Sequence, residues 1–142
     1  MYRRIFGENY DAKLETKEIT ALVKKQIKQK YKDIKVSCRT GSQGMIWITL
    51  KLDKDKYRAK EYKDLDDRDK RRVLHDLDVG CIDHSLDKIS TYLNDVPYLN
   101  KEAMEIKEYS RNAVKSYSYD CSDPYTDYFD IGVCGNVNIE WI

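Results

Sequence analysis

Strict alternation of apolar and polar residues is the feature that most restricts the fold. Over 34–38 and 46–52 the apolar side chains take the even-numbered positions, and Trp47 is the one large apolar residue on an odd position. A period of two is that of a β-strand with one buried face. Between the two runs, 40–44 reads Thr-Gly-Ser-Gln-Gly, a turn composition. The pattern predicts a hairpin of strands 34–40 and 45–52, with Thr40 opposite either Gly44 or Ile46.

The C-terminal segment alternates in the same way, but on odd-numbered positions. Its apolar residues are Phe129, Ile131, Val133, Val137, Ile139 and Trp141, with Gly135 in the same phase. A two-residue turn at Gly135-Asn136 would expose half of them, so it is disfavoured. Either a three-residue loop over 134–136 turns the chain, or one strand continues. The unbroken alternation favours a single strand over 128–142.

Two other segments have helical spacing. A helix over 17–31, with Thr16 as N-cap, would bury Ile19, Leu22, Val23, Ile27 and Tyr31. The opposite face of that helix carries the lysines Lys17, Lys24, Lys25, Lys28 and Lys32. A second helix over 101–118, capped by Asn100, would bury Ala103, Ile106, Ser110, Ala113, Val114 and Tyr117. Helices and strands that are segregated in this way predict an α+β fold.

The expected architecture is a single domain over 1–142. An antiparallel sheet of three or four strands, from 34–40, 45–52 and 128–142, would carry the two main helices on one face. Residues 1–15 would form an N-terminal arm, and the charge-rich 53–98 a more exposed insertion. A short helix over 66–78 would bury Val73, Leu74 and Leu77, and one or two helical turns would follow near 86–93.

Charge is divided along the chain although the net charge is only +1. Residues 1–63 hold 17 Lys or Arg and 8 Asp or Glu, whereas 64–142 hold 9 and 17. The two halves could attract each other within one fold. Alternatively, the basic half could face nucleic acid, or the acidic half a basic protein groove.

Composition excludes several classes of protein. The apolar runs are too short to cross a bilayer, and the N-terminus lacks the apolar stretch of a secretory signal, so a cytoplasmic location is expected. Cys38, Cys81, Cys121 and Cys134 are then expected to be reduced thiols. Cys81 and His84 form one ligand-like pair, but no second pair has zinc spacing. The sequence therefore predicts no metal and no cofactor.

Catalytic signatures are also missing from the sequence. His75 and His84 lie in no H-E-x-x-H motif, no serine lies in G-x-S-x-G, and no phosphate loop is present. The aspartates of the tail could contact a partner or bind a cation, but Ser122 and Asp123 before Pro124 are typical of turns and caps. We therefore expect a binding protein without catalytic residues.

Candidate partner-binding residues come from two segments. On the first helix, Lys24, Lys25 and Lys28 lie away from the apolar face. In the charged segment, Tyr57 and Tyr62 are expected to be exposed because they stand among polar residues. They are candidate contacts because tyrosine is common at binding surfaces. The acidic side chains beside them are Asp64, Asp66 and Asp67.

The tail, which reads Y-S-Y-D-C-S-D-P-Y-T-D-Y-F-D-I from Tyr117, resembles a known family. It is similar to the signature Y-N-Y-D-x-S-D-x-x-T-D-Y-F-D-V of the large polyvalent protein-associated domain. The first helix and the Ile34-Lys-Val-Ser strand resemble the opening of that family. The matching tail residues are Tyr117, Tyr119, Asp120, Ser122, Asp123, Thr126, Asp127, Tyr128, Phe129 and Asp130.

The resemblance implies a protein of a phage or another mobile element that acts inside a bacterial host. It supplies no catalytic residues. The first hypothesis is therefore a protein that engages and inhibits a host defence protein, such as a CRISPR nuclease, as anti-CRISPR proteins do. The alternative is a small nucleic-acid-binding module that uses the basic face of the first helix.

Overall fold

The computed structural model describes residues 5–120 and 131–142, which form an α+β structure. They divide into two compact units. The sheet unit comprises the described residues of 1–52 and 106–141, and the helical unit comprises 53–105 with Ile142. The segment predicted as a charged insertion falls in the helical unit. No helix within the described ranges is long and apolar enough to cross a membrane.

The sheet unit is built on three strands: β2 (Lys35–Thr40), β3 (Met45–Leu52) and β5 (Cys134–Trp141), with β3 in the centre. The predicted hairpin is confirmed, and of its two possible registers Thr40 pairs with Ile46. Gln43 and Gly44 have φ values of 56° and 76° in the turn, a left-handed region that glycine adopts without strain. As the alternation predicts, Ile46, Ile48, Leu50 and Leu52 are all fully buried.

The last strand corrects the predicted sheet. β5 runs through Gly135 without reversing, as the single-strand prediction requires, but it begins at Cys134, and 128–130 lie outside the described residues. It pairs with β3 in parallel, with Val137 beside Ile48, so the prediction of an antiparallel sheet is wrong for this strand. Alternation fixes which face of a strand is buried but not its direction. The segment between β3 and β5 is long enough for the crossover that a parallel pair needs.

Two helices pack on the buried face of this sheet. α1 (Thr16–Lys30) buries Ile19, Thr20, Val23 and Ile27. Its N-cap is Glu15 rather than Thr16, and Leu22 is 37% exposed because it borders the buried stripe centred on Val23 and Ile27. Thr40 Oγ1 donates to Thr20 Oγ1 at 2.9 Å and joins the helix to β2.

α5 (Lys101–Ser116) begins in the helical unit and continues in the sheet unit. The Asn100 cap is confirmed, since its Oδ1 accepts a hydrogen bond from Ala103 N at 2.9 Å. Within the sheet unit a Cβ on Gly135 would lie 2.9 Å from Val114 Cγ2, so α5 and β5 approach closely there. The helix ends at Ser116, before the predicted residue 118. The arm contributes β1 (Ile5–Phe6), which pairs with β4 (Tyr119–Asp120).

The helical unit has a hydrophobic core of its own. It contains α2 (Lys54–Tyr57), a 3₁₀ turn over Tyr62–Asp64, α3 (Asp67–Val79) and α4 (Leu86–Asp95). The predicted helices near 66–78 and 86–93 are therefore present. The buried cluster consists of Ala59, Leu65, Val73, Leu77, Ile89 and Leu93. Tyr62, Leu74, Tyr92 and Tyr98 pack against it.

Candidate nucleic-acid interface

The outer face of α1 is a surface of lysine side chains. Val23 and Ile27 are fully buried, so the helical period turns Lys24, Lys25 and Lys28 away from the core. Lys25 and Lys28 are exposed and Lys24 is half-buried. A shallow depression along the helix is lined by Ala21, Lys24, Lys25, Lys28, Gln29 and Lys32. The prediction of a shared lysine face is confirmed for Lys24, Lys25, Lys28 and Lys32.

These lysines continue onto the sheet. A second depression is shared by the end of α1 and the start of β2, where Lys28, Lys32 and Lys35 all contribute to its walls. We call Lys24, Lys25, Lys28, Lys32 and Lys35 together the basic surface. Sequence reasoning missed Lys35, although its odd-numbered position in the alternating strand already placed it opposite the buried face.

The basic surface has no carboxylate partner among the described residues. The ion pairs found there are Lys63–Glu61, His84–Asp78 and Arg111–Glu108. On α1, Lys24 and Lys28 are four residues apart and Lys25 and Lys28 three apart, spacings at which like charges repel. These lysines therefore form no ion pair within the described part of the protein.

The pKa of Cys38 responds to two of these lysines. Its side chain lies on β2, half-buried. Burial raises the pKa of the Cys38 thiol, and the ammonium groups of Lys24 and Lys28 oppose that shift. The lysines are thus close enough to β2 to act on it electrostatically. Because the net shift is upward, Cys38 is a neutral thiol rather than a reactive thiolate.

The two tyrosines proposed as partner contacts lie elsewhere, in the helical unit. Tyr57 is only 5% exposed, so the expectation that it is exposed is wrong. Tyr57 is the buried residue of the short α2, although its neighbours in the sequence are polar. Tyr62 is half-buried against the hydrophobic cluster, and Lys70 Nζ lies 5.3 Å from the centre of its ring.

Two of the three acidic candidates have structural partners. Asp64 Oδ2 accepts hydrogen bonds from the backbone N–H groups of Lys60 and Glu61, at 3.3 and 3.1 Å. Asp66 is the N-cap of α3, where its carboxylate accepts from Asp69 N at 2.8 Å. Asp67 is exposed. These contacts give Asp64 and Asp66 a role in the backbone of the helical unit.

The Cys81–His84 pair does not form a metal centre with its described neighbours. His84 Nε2 lies 2.6 Å from Asp78 Oδ1, and Cys81 is exposed with φ of 56°. Over 5–120 and 131–142, no group of three or more His, Cys, Asp or Glu side chains could hold a metal ion. The expected absence of a metal cofactor stays a prediction.

The described part of the tail motif packs against the N-terminal arm. The ring of Tyr119 lies 5.4 Å from that of Tyr10, and β4 pairs with β1. A Cβ on Gly132 would be 2.8 Å from Tyr119 Cδ1, so the ring also covers that glycine. Tyr117 is half-buried. The other motif residues, Ser122, Asp123, Thr126, Asp127, Tyr128, Phe129 and Asp130, lie outside the described residues.

Comparison of the chain with protein-family models, with curated proteins and with solved structures finds no significant match. The resemblance of the tail to the large polyvalent protein-associated domain therefore stays a prediction, and so does the biological setting that it implies.

Proposed function

We propose that this protein is a non-enzymatic binding protein whose basic surface binds the phosphate backbone of a nucleic acid. The observation that carries the proposal is the clustering of Lys24, Lys25, Lys28, Lys32 and Lys35 without a carboxylate partner in the described part of the chain. Phosphate groups would supply the missing negative charge, and each contact would release counterions from the nucleic acid.

The energetics of the helix support the same proposal. A like-charge pair three or four residues apart costs an isolated helix about 0.2–0.5 kcal/mol. The Lys24–Lys28 and Lys25–Lys28 pairs therefore bring no stability to α1. A charge cluster that does not stabilise its own fold but lies open to solvent is suited to an external anion.

The inhibition of a host defence protein, such as a CRISPR nuclease, is the second candidate function. It is favoured by the tail motif and by the lack of catalytic motifs in the sequence. The two proposals are compatible if the basic surface grips the guide RNA of such a nuclease. Under this proposal the protein acts in the cytoplasm of a bacterial host.

Charge reversal tests the first proposal. The variant K24E/K25E/K28E changes three residues of the basic surface, none of which belongs to the buried face of α1. The matched control K54E/K60E/K88E makes the same change in net charge at exposed lysines of the helical unit. Circular dichroism of all three proteins checks that the fold survives.

Binding is measured by fluorescence anisotropy with labelled duplex and single-stranded oligonucleotides, from about 50 to about 200 mM salt. We expect affinity to fall at least tenfold in K24E/K25E/K28E. The slope of log affinity against log salt should become about two to three shallower, since each lost phosphate contact removes about 0.7–0.9. The control variant should remain close to the parent protein. Equal losses of affinity in both variants would mean that only the net charge of the protein matters. That result would refute the proposal that the basic surface is a specific binding site.

A pull-down from host lysate separates the two functions. The protein is used as bait, and the lysate is treated with added RNase and DNase. If a host nuclease is still captured after this treatment, the result supports direct inhibition of a defence protein. Capture that disappears on nuclease treatment supports binding through nucleic acid.

A further inference from the structure

The three-stranded sheet has a second face, formed by the residues between the buried ones. Strand register arranges it in three rows across β2, β3 and β5. The rows are Arg39–Trp47–Asn136, Ser37–Thr49–Asn138 and Lys35–Lys51–Glu140. This outer sheet face therefore combines one large aromatic ring with hydroxyl, amide and charged groups.

The outer sheet face is partly open to solvent. Ser37, Arg39, Asn138 and Glu140 are exposed, and the central-strand residues Trp47 and Thr49 are half-buried. None of the side chains in the three rows makes a hydrogen bond or an ion pair with any other described residue. The described part of the chain therefore supplies no side-chain partner for this face.

Trp47 is held in place on this face by the turn before its strand. A Cβ on Gly41 would lie 2.5 Å from Trp47 Nε1 and 3.0 Å from Cδ1. One edge of the indole therefore packs directly over the glycine. A side chain at residue 41 would force the ring to shift, so the glycine permits this position of Trp47.

The charge of the outer sheet face is positive. Lys35, Arg39 and Lys51 stand against the single carboxylate of Glu140. Lys35 also belongs to the basic surface, because it borders the depression shared with Lys28 and Lys32. The row that contains Lys35 therefore adjoins the basic surface.

We infer that the outer sheet face binds single-stranded RNA, with one base stacked on Trp47 and the neighbouring phosphates beside Arg39 and Lys35. The inference rests on the proposed function and names its ligand. An aromatic ring on a sheet surface can stack only on an unpaired base, since the faces of paired bases are covered by their neighbours. The basic side chains around the ring match the backbone of such a strand.

The middle row favours RNA over DNA. Ser37, Thr49 and Asn138 offer hydroxyl and amide groups that both donate and accept hydrogen bonds. The ribose 2′-OH also donates and accepts, and it is the group that distinguishes RNA from DNA. The outer sheet face offers a protein ligand little apolar area beyond Trp47 and Met45.

Tryptophan fluorescence tests the inference, because the chain has two tryptophans on opposite faces of the sheet. W141F leaves Trp47 as the only indole, and W47F leaves Trp141. Each is titrated with oligo(U) of about ten nucleotides, within the range of single-strand site sizes. We expect quenching in W141F and little change in W47F. The reverse pattern, or no quenching in either variant, would overturn the inference.

Affinity measurements by anisotropy give a second test. W47A should weaken oligo(U) binding by about 5- to 160-fold, as loss of one stacked base does. W47F keeps an aromatic ring and should lose less affinity. It therefore keeps the test valid if the W47A variant does not fold. Equal affinity of the parent protein for duplex RNA and oligo(U) would overturn the single-strand assignment. Equal affinity for oligo(dT) and oligo(U) would overturn the choice of RNA.

The two proposals fail in different ways. If K24E/K25E/K28E abolishes duplex and single-strand binding while Trp47 substitutions change nothing, the basic surface binds nucleic acid and the outer sheet face does not. If oligo(U) quenches Trp47 and the lysine variant binds as well as the parent protein, the outer sheet face is the site and the proposed function of the basic surface is wrong.

Discussion

The sheet unit and the helical unit use their charged residues differently. The helical unit holds 14 Asp or Glu and 11 Lys or Arg, and many of its carboxylates accept hydrogen bonds. Asp53 and Asp66 cap helices, and Asp76 accepts from Tyr92 OH at 2.7 Å. In the sheet unit, residues 17–39 contain eight Lys or Arg and two acidic residues, and no described ion pair involves them.

The two units therefore differ in whether their charged side chains have hydrogen-bonding or ionic partners within the fold. Burial together with the Asp76 carboxylate raises the pKa of Tyr92, and hydrogen bonds from Ser85 lower the pKa of Asp83. The carboxylates of Asp76 and Asp83 thus accept hydrogen bonds from neighbouring residues of the helical unit. The lysines of the basic surface have no such partners among the described residues, so they contribute little to stability.

The largest expected effect tests whether the two cores are separate. Leu77 is buried in the cluster of the helical unit, and Leu77→Ala should cost about 3 kcal/mol of unfolding free energy. Both tryptophans belong to the sheet unit. In urea, the unfolding midpoint measured by circular dichroism, to which the helices of both units contribute, should fall more than the midpoint measured by tryptophan fluorescence.

Leu86→Ala is the matched control for this change. Leu86 lies on α4 of the same unit but is 73% exposed, so its loss should cost less than about 0.5 kcal/mol. If Leu77→Ala lowers both midpoints equally, the two units unfold together and the distinction between two cores has no thermodynamic meaning.

A smaller effect compares helix capping in the two units. The Asp66 side chain caps α3, so Asp66→Ala should cost about 1 kcal/mol of unfolding free energy. Glu15 occupies the N-cap of α1 without a side-chain hydrogen bond, and Glu15→Ala should change stability by less than about 0.5 kcal/mol. Urea denaturation measures both. Equal losses of unfolding free energy would mean that the N-cap carboxylates stabilise the helices of the two units to the same extent.

The smallest expected effect has the opposite sign. K25A/K28A removes a like-charge pair from α1 and introduces the best helix former, so stability should stay constant or rise by up to about 0.5 kcal/mol. The gain should be greatest at low salt, where repulsion is least screened. Thermal unfolding at two salt concentrations measures it. A clear loss of stability would show that these lysines support the fold and are not free for a ligand.

Much of the local structure could be predicted from particular residues. The alternation over 34–52 placed Ile46, Ile48 and Leu50 on the buried face, and Asn100 marked the start of α5. The same periodicity turned Lys24, Lys25 and Lys28 outward. Tyr57 was placed wrongly because a short helix offers too little periodicity to show which side chain is buried.

The sequence by itself determined the α+β class, the faces of the strands and the lysine side of α1. These properties depend on neighbours within a few residues, where the backbone period fixes the direction of each side chain. Only the tertiary structure decided that β5 runs parallel to β3, that Lys35 adjoins the lysines of α1, and that Trp47 lies in one row with Arg39 and Asn136. The pairing of β5 with β3 joins residues far apart in the chain and depends on how the intervening segment brings β5 back to the sheet. The other two relations depend on how α1 packs on β2 and on which hairpin register forms.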